Sequence, residues 1–272
     1  MNKTATKVLA LCAAAMMTLT ACTGNAPATE EEKPSDAAST ETKDEATDKK
    51  DEDKTADASA VTGKHEITDL VLPKLAQNEL TTFNILHSET NEDFEILFNL
   101  VEGLLEKDSL DKRHPCVATE WGTEDGGLNW TFKLRNDVKW VDMNGQEKAD
   151  CNAQDFATGL EWVLNFYKND SSNTTMPIEM IKGASEYYEY TKTLSEEEAK
   201  ALTAGEGSKF REMVGLETPD DYTVVYTCLS PKPYFDSLGA YACLYPASQA
   251  LIDELGGPDG SKSMNNENMW YN

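Results

Sequence analysis

Apolar side chains recur at helical spacing after residue 90. The stripe consists of Phe94, Leu97, Phe98, Val101, Leu104 and Leu105. Thr90-Asn91-Glu92-Asp93 precedes it with a capping-box pattern and an acidic first turn, in which side-chain oxygens accept hydrogen bonds from the free N–H groups of a helix start. The pattern therefore predicts a helix from about Asn91 to Lys107.

Three further helices are predicted downstream. Asn152-Ala153-Gln154-Asp155 is typical of a helix cap, and the apolar stripe behind it consists of Phe156, Leu160, Val163, Leu164 and Tyr167. A short acidic helix is predicted to begin at Ser195. A last helix is predicted from Pro246 to Leu255, ending at Gly256-Gly257.

Alternation of apolar and polar residues predicts strands. Trp130, Phe132 and Leu134 alternate with polar residues, and the pattern resumes after a turn at Asn136-Asp137. Residues 222–229 predict another strand, and the apolar residues between 71 and 86 predict one or two more. Residues 168–175 are polar and predict an exposed loop. Strands and helices mixed with irregular connections favour an α/β or mixed α+β fold.

The first 21 residues are typical of a secretory signal. Lys3 and Lys7 precede an apolar stretch that is shorter than the about 20 residues a membrane-spanning helix needs. Leu19-Thr20-Ala21-Cys22 has the form of a lipobox, in which the cysteine is acylated and becomes the first residue of the mature chain. We therefore expect a signal peptide at 1–21 and a lipid anchor on Cys22; an ordinary signal peptide with a chance cysteine is the alternative.

Residues 22–64 differ in composition from the rest of the chain. Between 23 and 60 there is no Val, Ile, Leu, Met, Phe, Tyr or Trp, so this stretch has too little apolar surface to offset the entropy of ordering. We expect a disordered acidic stalk that holds a folded domain, residues 65–272, away from the membrane. The net charge of −25 for the whole chain repels phosphates and argues against binding of nucleic acid.

The cysteines give no metal-binding pattern. Cys116, Cys151, Cys228 and Cys243 would remain after removal of the signal and lipidation of Cys22, and none belongs to a C-x-x-C pair. A zinc site is therefore not expected. Both disulfides and free thiols are compatible with the sequence.

Several local patterns occur in a recognisable order. The most specific is Trp130–Trp140, which follows the pattern T-F-x-L-R-x-x-V-K-W. Others of the same set lie at 101–108, 115–121, 149–156, 181–184, 221–224, 233–235 and 245–248. In this order the chain resembles, over residues 78–272, the amino-terminal half of the oligopeptide/dipeptide-type solute-binding lipoproteins, family 5, of ABC importers.

The resemblance implies a periplasmic-binding-protein-like fold of two lobes, of which this sequence would contain the first lobe region and an inserted small domain. It implies a monomeric receptor on the extracellular face of the cell membrane, or the periplasmic side if there is an outer membrane. That receptor would hold oligopeptides in an extended form between the lobes and deliver them to the permease subunits, without catalysis, cofactor or metal. Because about as much chain again follows in the family, the resemblance also implies that the sequence is a fragment.

Carried over residue by residue, the resemblance assigns ligand contacts to two segments. The first precedes the early helix and comprises Ser88, Glu89, Thr90 and Asn91, of which Thr90 and Asn91 could instead serve only as caps. The second follows the Asp155 helix and comprises Ser172, Asn173 and Thr174, for which an exposed loop is the alternative. Tyr187, Tyr188 and Tyr190 could stack on a ligand, but helix packing is favoured.

Other functions remain open at this point. Within the family the ligand could be a nickel chelate, a sugar oligomer or a signalling peptide, because a fold does not fix its ligand. An extracellular hydrolase is less favoured because the sequence contains no G-x-S-x-G elbow. Nothing in the sequence favours a structural adhesin.

Overall fold

The computed structural model describes residues 80–169, 171–258, 264 and 268–271. These residues belong to a compact unit that spans Leu70–Asn272. The predicted signal peptide, Cys22 and the stalk lie outside the described residues. Within the described part, no helix combines the length and hydropathy needed to cross a bilayer.

Helices and strands alternate irregularly along the described residues. In chain order the elements are α1 (Asn91–Leu97), β1 (Leu105–Lys107), β2 (Arg113–Pro115), β3 (Ala118–Gly122), β4 (Asn129–Leu134), β5 (Lys139–Val141), β6 (Glu147–Asp150), α2 (Ala153–Val163), α3 (Thr175–Met180), α4 (Ala184–Lys192), α5 (Glu196–Lys200), α6 (Lys209–Met213), β7 (Leu216–Asp220), β8 (Thr223–Thr227) and α7 (Gln249–Glu254). Short 3-10 helices lie at Ser172–Thr174, Phe235–Ala240 and Ala242–Leu244. This mixture confirms the predicted fold class.

A four-stranded antiparallel sheet forms the centre of the unit, with strand order β3-β4-β8-β7. Trp130, Phe132 and Leu134 on β4 are all buried, as the alternating pattern predicts. Phe132 lies opposite Val224 of β8. The predicted strands at the Trp130 segment and at 222–229 are therefore confirmed.

Helix α2 packs against this sheet. Phe156 and Leu160 are fully buried in the same apolar cluster as Phe132 and Tyr226. The rings of Phe132 and Tyr226 meet edge to face with their centroids 5.9 Å apart, a favoured aromatic geometry. The stripe predicted for this helix therefore faces the core.

The start of α2 is fixed by a buried carboxylate. Asn152 and Asp155 form a reciprocal capping box, which confirms the predicted cap. Asp155 also accepts hydrogen bonds from Nε1 of Trp140 and from the backbone N of Gln249, both at 2.9 Å. Burial raises the pKa of Asp155. One side chain thus connects α2 to the β5–β6 hairpin and to the start of α7.

A second apolar cluster lies beside the end of α2. Its buried members include Ile85, Leu86, Leu97, Trp162 and Leu251. They come from the segment before α1, from α1, from α2 and from α7. This cluster therefore holds the segment before α1 against the rest of the unit.

The first helix is much shorter than the pattern predicts. It ends at Leu97, after which the N–H groups of Asn99 and Leu100 bond to carbonyls three residues back. The side-chain amide of Asn99 donates to the carbonyl of Glu95 at 2.7 Å, so it closes the final turn. Leu104 and Leu105 are buried, but Leu104 lies in a bend and Leu105 is the first residue of β1, so neither is helical. The apolar spacing at 101–105 thus reflects irregular chain and the start of a strand.

The remaining predicted elements differ from the structure mainly at their ends. Tyr167 lies beyond the end of α2 at Val163. Helix α7 begins at Gln249 with Ser248 as its N-cap, three residues after the predicted start. Helix α5 has the predicted cap, since Ser195 and Glu198 form a capping box. Tyr187 is fully buried on α4, so its predicted packing role is confirmed.

Candidate functional site

Residues 84–88 form a tight turn immediately before α1. The carbonyl oxygen of Asn84 accepts hydrogen bonds from the N–H groups of His87 at 3.0 Å and Ser88 at 3.2 Å. The side-chain oxygen of Asn84 accepts a third from Leu86 N at 3.1 Å. Leu86 and Ser88 are each only 1% exposed. The sequence predicts one or two strands in this region, but residues 80–90 contain the turn and no strand, and residues 71–79 lie outside the described part of the chain.

A carboxylate on the first turn of α1 binds back to the preceding segment. Asp93 accepts hydrogen bonds from Thr81 N at 2.8 Å, from the Thr81 hydroxyl and from Ser88 Oγ at 3.1 Å. Burial opposes ionisation, but these hydrogen bonds and one with Thr90 outweigh it and lower the pKa of Asp93. The carboxylate is therefore ionised at neutral pH and holds residues 81–88 against the helix.

The four predicted ligand residues before α1 divide into two groups. Ser88 is buried with its hydroxyl on Asp93, and Thr90 caps the helix by accepting from Asp93 N at 3.2 Å. Glu89 and Asn91 are exposed. Thr90 is half-buried, and Asn91 is the first helical residue rather than the cap.

Part of the polar stretch after α2 is buried, although the sequence predicts an exposed loop at residues 168–175. Asn169, Ser171 and Thr174 are each at most 7% exposed. Asn169 and Ser171 use their side chains within the segment: Asn169 Oδ1 accepts from Ser171 N at 3.1 Å, and Ser171 Oγ accepts from Asn173 N at 3.3 Å. The expectation of an exposed loop is wrong for these three residues, because polar groups can be buried once they are hydrogen-bonded.

The structure brings the two predicted segments together. The side-chain amide of Asn173 donates to the carbonyl oxygens of Leu86 at 2.8 Å and Ser88 at 3.0 Å. The hydroxyl of Thr174 reaches the carbonyl of Ser171 at 3.5 Å, within its own segment. The backbone of Ser172 lies in the 3-10 helix Ser172–Thr174. Residues 87 positions apart in sequence are thus in direct contact.

Asn169 and Asp93 belong to this site, although the sequence did not single them out. Asn169 also donates to the carbonyl of Leu86, at 3.4 Å. The sequence does contain a hint for each residue. Asp93 is the third residue after the Thr90 cap, and Asn169 opens the polar run of residues 169–174. Neither hint predicts which group elsewhere in the chain the side chain contacts.

A buried ion pair lies directly before the 169–174 segment. Lys168 Nζ is 2.7 Å from Glu161 Oε2, and the two side chains are only 8% and 3% exposed. Glu161 also accepts from the Tyr187 hydroxyl at 2.8 Å and from the Asn165 amide at 3.0 Å. Lys168 donates to the carbonyl of Leu202 at 2.6 Å. This network joins α2 to α4 and to the segment after α5.

The cysteines of the described residues are free thiols with raised pKa values. Burial raises the pKa of Cys116 and Cys243 to about 12 and that of Cys228 to about 11, and it raises the pKa of Cys151 as well. Free thiols are one of the two states compatible with the sequence. Within the described ranges, no three His, Cys, Asp or Glu side chains lie close enough to hold a metal ion.

A family model matches most of the described chain. The model described as "Bacterial extracellular solute-binding proteins, family 5 Middle" matches residues 112–270. The match includes β2 to β8, helices α2 to α7 and the 169–174 segment. It does not include the 84–88 turn.

Individual relatives extend the likeness. The oligopeptide-binding protein SarA of Streptococcus gordonii is 31% identical over 173 residues, which cover 64% of this chain and 23% of SarA. AliB of Streptococcus pneumoniae, also an oligopeptide-binding protein, is 30% identical over 190 residues, 68% of this chain and 26% of AliB. The chain thus spans about a quarter of the length of these relatives.

The fold is also found in solved structures. The structure of Haemophilus influenzae OppA in complex with the peptide RPPGFSPFR aligns with a TM-score of 0.50 and 25% identity. The alignment covers 64% of this chain and 30% of the OppA chain. The described unit therefore has the fold of part of an OppA-type binding protein.

Proposed function

The chain belongs to the family 5 bacterial extracellular solute-binding proteins, and from this membership we propose that it is part of a receptor that captures oligopeptides outside the membrane and delivers them to the permease of an ABC importer. One observation carries the proposal. The chain that matches the family model is also similar to oligopeptide-binding proteins of several bacteria.

The arrangement around the 84–88 turn supports a site for extended chains. Glu89 and Asn91 are the exposed members of the first predicted segment, so we assign them the side-chain contacts with ligand. Ser88 is buried and uses its hydroxyl, its N–H and its carbonyl oxygen internally, so we assign it no ligand contact. Thr90 uses its hydroxyl as the helix cap, so any contact it makes with a ligand would come from its backbone. Main-chain hydrogen bonds to the peptide, as in strand addition, give affinity without strong selection of side chains.

The membrane location follows from the amino-terminal sequence. We propose acylation at Cys22, with residues 23–64 as a tether and release of residues 1–21 as the signal peptide. Replacement of Cys22 by Ala should move the protein from the membrane fraction to the soluble fraction, because the anchor is lost. Cys12→Ala is the matched control, since Cys12 lies within the predicted signal. Membrane retention of the Cys22 variant would contradict the proposal.

The ligand can be identified directly. The complete gene product is purified without added ligand, unfolded to release what it carries, and the released material is analysed by mass spectrometry. We expect a mixture of short peptides. The refolded protein should then bind the nonapeptide RPPGFSPFR, which the Haemophilus OppA structure contains. A single non-peptide species, together with no binding of the nonapeptide, would refute the peptide assignment.

A further inference from the structure

Two asparagines after α2 hold the backbone of the turn before α1. We propose that Asn169 and Asn173, here called the amide clasp, are positioning residues that keep the 84–88 turn in the shape that presents Glu89 and Asn91 to a ligand. The inference rests on the proposed peptide-binding function. It also assigns Asn173 a role different from the direct ligand contact that the resemblance implies.

The geometry of Asn173 accounts for this reassignment. Its side-chain amide donates two hydrogen bonds, and both go to backbone carbonyl oxygens of the 84–88 turn. Nδ2 lies 2.8 Å from Leu86 O and 3.0 Å from Ser88 O. A primary amide has two donor protons, so both are in use. The donor side of Asn173 is therefore occupied by the 84–88 turn and is not available to a peptide.

Asn169 reinforces the same turn from the other end of the segment. It is 1% exposed, and its Nδ2 donates to Leu86 O and to Val163 O, both at 3.4 Å. Its Oδ1 lies 3.4 Å from Nδ1 of His87 and accepts from Ser171 N. One side chain thus touches the turn, the end of α2 and its own segment.

The target carbonyls depend on the clasp. Leu86 and Ser88 are almost fully buried, so water cannot easily replace an amide donor on their carbonyl oxygens. Without the clasp, other shapes of the turn become competitive. The apparent dissociation constant then rises in inverse proportion to the fraction of molecules that keep the binding-competent shape. A fall of that fraction to about a tenth gives about a tenfold loss of affinity.

The chain offers a matched control, a nearby buried asparagine, to separate positioning from stability. Asn165 is fully buried, and its amide donates to Ala199 O at 2.7 Å and to Glu161, but not to the 84–88 turn. Asn169→Ala, Asn173→Ala and Asn165→Ala are made in the complete gene product. All three are expected to lower the melting temperature, because each loses buried hydrogen bonds.

Binding of the nonapeptide RPPGFSPFR is then measured by calorimetry at a temperature where all variants are folded. We expect the two clasp variants to lose about tenfold in affinity and Asn165→Ala to bind as the wild type does. Hydrogen exchange provides a readout without ligand. Exchange at residues 86–88 should accelerate in the clasp variants and remain unchanged in Asn165→Ala.

Replacement of Asn173 by Asp adds a pH test. At neutral pH the new carboxylate would face two carbonyl oxygens and repel them, so affinity should fall at least as far as in the Ala variant. Protonation at acid pH gives the side chain one donor, because a carboxylic acid carries an O–H group. The affinity ratio between wild type and this variant should therefore narrow as the pH falls, which a loss of packing would not produce.

The outcomes separate the two proposals. If the wild type binds the nonapeptide and the clasp variants bind it equally well, or if Asn165→Ala loses as much affinity, the clasp has no positioning role. If the wild type binds no peptide, the proposed function fails, and the exchange experiment alone decides whether the clasp orders the turn. Unchanged exchange at residues 86–88 in both clasp variants overturns that part as well.

Discussion

Replacement of Lys168 by Met is expected to destabilise the protein severely. The substitution keeps most of the side-chain volume but removes the ammonium group that lies 2.7 Å from Glu161. Glu161, with 3% of its side chain exposed, would then be a buried charge without a counter-charge. The carbonyl of Leu202 would also lose its donor. Loss of one partner from a buried ion pair costs about 3 to 5 kcal/mol.

This magnitude is large relative to total stability, because domains are stable by only about 5 to 15 kcal/mol. The free energy of unfolding is measured by urea titration with circular dichroism. The double variant Lys168→Met/Glu161→Gln should recover much of the loss, because it removes both charges and leaves an amide oxygen that can still accept from the Tyr187 hydroxyl. In a double-mutant cycle, such a recovery measures the interaction energy between the Lys168 and Glu161 side chains.

The control is an exposed pair of the same composition. Lys192 and Glu189 are 2.7 Å apart with 35% and 65% of their side chains exposed, so Lys192→Met should change stability very little. A loss below about 1 kcal/mol in Lys168→Met, the range of surface pairs, would refute the reasoning from burial. So would a double variant that is no more stable than Lys168→Met alone.

Three further predictions follow from local geometry. Tyr226 is fully buried, and its hydroxyl makes no hydrogen bond in the described part of the chain, so Tyr226→Phe should raise stability by about 1 kcal/mol in urea titration; a loss of stability would show that the hydroxyl has a partner. The lowered pKa of Asp93 means that the unfolded state binds more protons than the folded state at acid pH. Stability should therefore fall as the pH drops below the ordinary carboxyl pKa of about 3.9 and towards the pKa of the folded state. Asp93→Asn should make stability depend less steeply on pH in this range, and an unchanged pH dependence would contradict the prediction. Gly183 and Gly207 both have positive φ, 74° and 72°, but only at Gly183 would a Cβ collide with backbone, namely the carbonyl oxygen of Met213. Gly207→Ala should therefore cost about 1 to 2 kcal/mol, and Gly183→Ala clearly more by the same titration; equal costs would rule out the clash.

Local signals in the sequence predicted those parts of the fold that neighbouring residues determine. The caps at Thr90, Asn152 and Ser195 and the alternation on β4 are correct, because each depends on residues within a few positions. The predicted length of α1 is wrong because spacing alone cannot distinguish a helical stripe from the buried irregular chain and strand start at 101–105. Tertiary contacts decide that case.

The candidate site shows the same division. The two segments were predicted from the family resemblance, and the structure places them in contact through Asn173. Their side-chain roles were not predictable from the sequence, because a polar residue that serves a distant backbone carbonyl looks the same as one exposed to solvent. For this reason the polar composition of residues 168–175 predicts a surface loop and does not reveal the role of Asn169.

The protection of the native thiols has a practical consequence. At neutral pH, groups with pKa values as high as those of Cys116, Cys228 and Cys243 are almost entirely protonated and react slowly with maleimides. A single cysteine introduced at Glu89 would therefore take up a fluorophore in preference to them. Because this label would replace a proposed ligand contact, its fluorescence would report whether an added peptide reaches that position.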